Sequence, residues 1–235
     1  REKLLALAAE QLGVSPEELE ISGGLVRVRG RDDLGVGYDR VVRAAHFRTG
    51  GAVIQAAAFY DPPTERQDHN YVGNISAAYS FGAQAAVVAV EPATGRVEVL
   101  KVVSVHDAGR ILNPLAARGQ VEGGVSMGLG YALSERLVVD EGRVLNPGFL
   151  DYRLMTAADM PPVEAVFLEE ADPEGPFGAK GLGEPPAVPT AAAVANAVYR
   201  ACGVRIFELP ITPEKLLAAM KDRVPSGGGR RETAG

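Results

Sequence analysis

Apolar and polar residues alternate along this chain in blocks that change period several times. Leu4, Ala8 and Leu12 repeat at helical spacing, so residues 3–12 are predicted to form an amphipathic helix that stops at Gly13. Ser15-Pro16-Glu17-Glu18 reads as a capping box, with Ser15 as N-cap, proline at the first helical position and Glu18 at the third. A short strand over 25–29 and a helix over 38–47 follow. Residues 49–77 carry Pro62, Pro63 and few periodic positions, which predicts a long loop. A loop of that size is more often functional or partner-covered than idle.

The central pattern is sharper. Two β-rich runs, 85–90 and 96–105, flank the turn residues Pro92-Ala93-Thr94-Gly95 and predict a hairpin. Asn113-Pro114 then opens a long helix with one apolar stripe at Val121, Val125, Leu129, Leu133 and Leu137. A turn at 140–142 joins two short strands. A strand over 163–168, an alanine-rich helix over 190–202, a strand over 205–209 and a helix from Thr212-Pro213-Glu214 to Met220 complete the elements. Residues 225–235 are glycine-rich and polar and are expected to be disordered. Hairpins beside segregated helices predict an α+β fold with a mixed sheet. The expected division is 1–78 as an N-terminal helical and loop segment, 79–222 as the main domain, and 223–235 as a tail. No internal repeat is visible.

Composition narrows the functional classes. The 235 residues include 24 basic and 30 acidic side chains, a net charge of −6, and no basic stripe, which argues against nucleic acid as a partner. A single cysteine, Cys202, excludes an internal disulfide and any iron–sulfur centre housed by this chain alone. It suits a reducing cytoplasm. No apolar run approaches the roughly 20 residues that span a bilayer. The first residues lack a signal-peptide core, and the absence of an initiator methionine suggests a processed chain or a piece of something larger.

Two constellations could carry chemistry. Gly119, Gly123, Gly124, Gly128 and Gly130 lie in or beside the long helix, each costing roughly 0.5–1 kcal/mol relative to alanine. Such a helix gains by letting another backbone or a ligand come close, so tight packing and ligand binding both remain open. Gln120 beside them offers two donors and an acceptor, which suits a heterocycle such as a pterin. The second is Gly178-Ala179-Lys180-Gly181-Leu182-Gly183-Glu184. Its spacing is neither that of a Walker loop nor of a dinucleotide fingerprint. Three glycines let backbone N–H groups turn toward an anion, and Lys180 adds positive charge. A simple turn explains the same pattern. Glu184, followed by Pro185-Pro186, is a carboxylate on a stiffened chain; it is either a solvated surface residue or a general base.

A series of segments weighs on that choice. Ser80-Phe81-Gly82-Ala83, His106-Asp107-Ala108-Gly109-Arg110, Asn113-Pro114, Gly119-Gln120-Val121-Glu122-Gly123-Gly124, Gly128-Leu129-Gly130, Asn146-Pro147, Gly175 to Pro185 and Leu209-Pro210-Ile211-Thr212-Pro213-Glu214 occur in this order. Over roughly residues 75 to 220 the chain thereby resembles the molybdopterin-binding catalytic subunit of the xanthine dehydrogenase, aldehyde oxidase and carbon monoxide dehydrogenase family.

The resemblance implies a molybdenum–molybdopterin cofactor, in its plain or cytosine dinucleotide form, that takes no side-chain ligand from the protein. The three histidines, His46, His69 and His106, show no metal-ligand spacing. By position Glu184 matches the family's general base, Gln120 its pterin-contacting glutamine, and Lys180, Gly181, Leu182 and Gly183 the loop lying against the cofactor. The implied reaction places water-derived oxygen on an electron-poor carbon of a purine, N-heterocycle or aldehyde. Electrons then leave through two [2Fe-2S] clusters to FAD on partner subunits, in a cytoplasmic assembly expected to be a dimer of heteromers. Met127 stands where many relatives have glutamine. The family's subunit is about three times longer, so this chain would supply the base and one wall of a site that needs an upstream molybdenum-binding portion. A non-catalytic scaffold remnant is the alternative, and a phosphate-binding module is a more distant one.

Overall fold

The structure, a computed structural model, describes residues 1–48, 50–51 and 54–223. The expected tail over 225–235 lies outside the described residues. The chain divides into two compact units, 1–61 and 62–235, so the boundary falls upstream of the expected residue 78.

In the first unit, helix α1 (Glu2–Leu12) ends at Gly13, whose left-handed backbone (φ 69°) lets its N–H bond back to Ala9. The capping box forms, with the Glu18 carboxylate accepting from the Ser15 N–H at 2.8 Å, but it begins only a 3₁₀ turn over Pro16–Glu18. The chain passes straight into β1 (Leu19–Ser22), which the sequence reading did not anticipate. Leu19 and Ile21 pair with Val28 and Val26 of β2 (Leu25–Val28), and this strand pairing overrides the helical cap. β3 (Gly35–Gly37) completes an antiparallel sheet in the order β1-β2-β3, and α2 (Tyr38–Arg48) follows. Ala8, Leu19, Val26 and Val41 form its small buried core.

The second unit opens with residues 62–80 free of helix and strand. β4 (Phe81–Val90) and β5 (Val97–Asp107) then form the expected hairpin, each longer than the periodicity indicated. β8 (Val163–Leu168) joins β5 in parallel, which gives a mixed three-stranded sheet in the order β4-β5-β8. β6 (Val139–Asp140) and β7 (Arg143–Val144) form a separate two-stranded ribbon. Between β5 and β8 runs α3 (Pro114–Leu133), started by the Asn113 side chain accepting from the Ala116 N–H at 3.0 Å. It ends at Leu133, so Leu137 falls beyond the helix and is exposed, contrary to the expected stripe.

α3, α4 (Thr190–Cys202) and α5 (Pro213–Arg223) bury Val121, Val125, Leu129, Val194, Val198 and Leu216 against Val102 of the sheet. The expected strand over 205–209 is irregular chain. In place of a ladder its Glu208 carbonyl accepts from Lys215 Nζ at 3.3 Å, which also donates to the neighbouring Pro210 O at 3.2 Å.

One irregularity in the sheet positions the site. Val87 pairs with Lys101 and Val88 with Val99, so Leu100 is a surplus residue in β5. Upstream of this bulge Val97 and Val99 face the helices; downstream Val102, Ser104 and His106 are buried. The bulge therefore turns two polar side chains toward the interior.

Candidate functional site

The glycine-rich loop is tied to the end of β5 at successive points. Arg110 N–H donates to Gly178 O and Lys180 N–H to Ala108 O, each at 2.8 Å, around a bridge between Gly109 and Ala179. Gly109 has φ 61°, and a β-carbon there would meet the Gly178 carbonyl, so glycine is required by both backbone and space. Lys180 Nζ lies 2.7 Å from Asp107 Oδ2. Hydrogen bonds from Lys180 and from the Gly109 N–H hold the Asp107 carboxyl below its ordinary range, and the same pair raises Lys180. The lysine charge expected to serve an anion is thus engaged by a carboxylate.

Two further side chains hold the loop. Ser80 Oγ donates to Gly181 O at 2.5 Å, and Gln120 Nε2 donates to Gly183 O at 2.6 Å. Gln120, Lys180, Leu182 and Gly183 line one depression of about 400 Å³ with Arg110 and Leu112. Among the described residues the backbone N–H groups of Gly181, Leu182, Gly183 and Glu184 have no acceptor. Glu184 lies on a second depression of about 370 Å³ with Ser80, Gly82 and Val188. Its carboxylate is exposed and has no hydrogen-bond or ion-pair partner among the described residues.

The glycines of α3 separate into two kinds. A β-carbon on Gly124 would stand 2.6 Å from Pro186 Cβ and 3.1 Å from Ala187 N, and one on Gly128 would collide with Thr190. These two form a packing seam against the segment after Glu184. Gly119 and Gly123 face open space. Of the two readings left open for the set, packing accounts for Gly124 and Gly128, while the Gly119 and Gly123 positions are unhindered.

Behind Glu184 lies a polar network with no local signature in the sequence. Gln84 Nε2 donates to Pro186 O at 2.7 Å and to Ser104 Oγ at 2.9 Å, and Gln84 Oε1 accepts from Thr190 Oγ1 at 2.7 Å. Ser104 Oγ is 2.7 Å from Nε2 of His106, whose ring is fully buried. Burial lowers the His106 pKa, so the imidazole is neutral near pH 7. Among the described residues its Nδ1 has no hydrogen-bond partner, and it lies 2.8 Å from where a β-carbon on Gly82 would be, so only glycine fits opposite it. Among the described residues no group of three or more His, Cys, Asp or Glu is placed to hold a metal ion, and no helix is long and apolar enough to cross a membrane.

Comparison with known proteins gives the family. A profile described as molybdopterin cofactor-binding domain matches residues 1–161. The chain is 42% identical over 163 residues to a putative xanthine dehydrogenase molybdenum-binding subunit of Escherichia coli K12, covering 68% of this chain and 22% of that one. It is 35% identical to the molybdenum-binding subunit of an E. coli aldehyde oxidoreductase, covering 94% of this chain and 28% of the relative. The structure of quinoline 2-oxidoreductase from Pseudomonas putida 86 superposes over 94% of this chain and 28% of its own, with a TM-score of 0.70 and 29% identity. The chain thus spans about a quarter of the length of the relatives it matches. Its α+β fold, the ordered motifs from Ser80 to Glu214 and the profile match agree: the chain belongs to the molybdopterin cofactor-binding domain family of molybdenum hydroxylase catalytic subunits.

Proposed function

We propose that this chain forms one wall of a molybdenum hydroxylase active site, with Glu184 as the general base. The observation that carries the reading is the contrast between a fixed backbone and an unengaged carboxylate. Residues 178–183 are bonded to the end of β5, Ser80 and Gln120, while Glu184 presents its carboxylate to solvent without a partner among the described residues. A base must be held in place and yet be free to take a proton.

The residues present fit a pterin. Four consecutive N–H groups with no acceptor among the described residues, and the remaining amide capacity of Gln120, can meet its acceptors and donors beside a 400 Å³ depression. Gln120, Gly181, Leu182 and Gly183 would hold it, and Lys180 would anchor the loop through Asp107. When bound, a molybdenum–pterin supplies the oxidising centre for the transfer of water-derived oxygen. Glu184 removes the proton that this transfer releases.

The substrate class is an electron-poor carbon of a purine, N-heterocycle or aldehyde, in keeping with the names of the relatives. The rest of the subunit, an iron–sulfur subunit and an FAD subunit would complete a cytoplasmic enzyme, with the pterin in either its plain or cytosine dinucleotide form. The test is Glu184→Gln in the enzyme assembled with its upstream portion. Turnover per molybdenum is expected to fall by at least roughly 10²–10⁴-fold with metal content unchanged. Near-normal turnover in a metal-replete variant overturns the assignment and leaves a scaffold role.

A further inference from the structure

We infer that Gln84 is a positioning residue for the Glu184 loop, acting through the Pro186 carbonyl. The inference rests on Glu184 being the base.

Pro185 and Pro186 have no N–H, so the backbone here can be held only through its carbonyls. Pro186 O accepts from Gln84 Nε2 at 2.7 Å and lies 3.0 Å from Thr190 Oγ1, whose single proton is shared between this carbonyl and Gln84 Oε1. Because a carbonyl only accepts, it fixes which end of the Gln84 amide is nitrogen. The second amide hydrogen then goes to Ser104 Oγ, and Oε1 is left to accept from Thr190. Ser104 is backed in turn by His106. Gln84 thus spends both donors and its acceptor on one arrangement, 102 residues upstream of the carbonyl it holds.

The strand pairing makes the arrangement rigid. Gln84 and Ser104 are cross-strand partners, as are Gly82 and His106, so the donors sit on the sheet and the loop is registered against it. On the other side Gly124 brings α3 against Pro186. Between these two surfaces Pro186 has a fixed place, and Glu184 lies two residues before it. Misplacing a catalytic group by about 1 Å costs on the order of 10²-fold in rate. A contact that sets the loop therefore acts on turnover without touching substrate.

The experiment uses the assembled enzyme. Gln84→Met keeps side-chain length and removes both donors; Thr190→Val is a second variant that removes the hydroxyl link. Gln84→Met is expected to lower kcat per molybdenum between about 10- and 100-fold, leave KM and molybdenum content within roughly twofold, and speed amide exchange at Ala187 and Thr190. Thr190→Val should shift the same quantities in the same direction by less. If kcat per molybdenum stays normal and only the thermal midpoint falls, Gln84 is merely structural and the inference is wrong. Unchanged exchange at Ala187 and Thr190 also overturns it. Glu184→Gln, measured in parallel, separates the two readings. An active Glu184→Gln enzyme removes the base itself, whereas an inactive one beside a normal Gln84→Met enzyme removes only the positioning role.

Discussion

Lys180 and Asp107, 73 residues apart in sequence, meet in a 2.7 Å ion pair that joins the glycine-rich loop to the end of β5. Their side chains are only 11% and 16% exposed, so solvent screens the pair less than a surface bridge. Gly109 N–H adds a second bond, on the other carboxylate oxygen, at 3.1 Å. The lysine that the sequence pattern offers to an anionic ligand is therefore a fastening of the loop that carries the candidate base.

That pair has a pH signature. The Asp107 carboxyl is lowered from 3.8, chiefly by the hydrogen bond from Lys180, so its contribution is present above pH 3.8 and is lost as pH falls through its folded value. Lys180 is raised from 10.5, chiefly by its hydrogen bond to Asp107, so its contribution is present below pH 10.5 and is lost as pH rises through its folded value. Wild type should exceed Asp107→Asn in thermal midpoint by a constant margin of several degrees from pH 5 to pH 9. The margin should close in stronger acid, as scanning calorimetry across pH would show. A margin that varies between pH 5 and 9 would point to another titrating group.

Adjacent glycines of α3 should respond in opposite senses. Gly124→Ala forces a methyl group into Pro186 and the Ala187 N–H, an overpacking cost of about 1–3 kcal/mol. Gly123→Ala meets nothing within 4 Å and gains the helical preference of alanine, roughly 0.5–1 kcal/mol. Denaturant midpoints of the two variants, measured side by side, test this. Equal midpoints would mean that the seam yields without cost.

Gln120 gives a third test. Gln120→Ala removes one exposed side chain and its bond to Gly183, so the thermal midpoint should move little. If the glutamine also contacts a pterin, losing a neutral hydrogen bond worth roughly 0.5–1.5 kcal/mol should lower molybdenum occupancy partially, most visibly when cofactor is limiting. Molybdenum per assembled protein, determined beside the midpoint, separates the two. Full occupancy with a much lower midpoint would make the residue structural.

The pattern of apolar positions was enough to place both strands of the hairpin, the two longest helices, β8 and the α+β class, because each has a sustained period and clear turn residues. It failed where short range misleads. The capping box at Ser15 leads into a strand, since Leu19 and Ile21 find partners in Val28 and Val26. Residues 205–209 alternate like a strand but have no strand to pair with among the described residues, and Phe207 is left 93% exposed. At the site, Gln120 and the loop at 180–184 stood out through glycine spacing, and the structure brings Gln120 to Gly183. Gln84, Ser104, His106 and Asp107 were not legible as a group. Their roles depend on cross-strand register and on contacts up to 102 residues apart, for which local sequence carries no sign.

The surplus residue in β5 bears on how this strand can change in length. An unbroken alternation continuing from Val97 and Val99 would turn Val103 and Val105 inward and put Ser104 and His106 on the opposite face. Leu100 restores parity, so the upstream half serves the core and the downstream half serves the Glu184 loop from the same side of the sheet. Removing Leu100 would straighten the ladder and leave both sets of inward positions where they are. Inserting a residue between Val102 and Ser104 would turn the Ser104 and His106 side chains to the opposite face. Tolerance to length change along β5 is thus divided at the bulge, with slack at Leu100 and none beyond it.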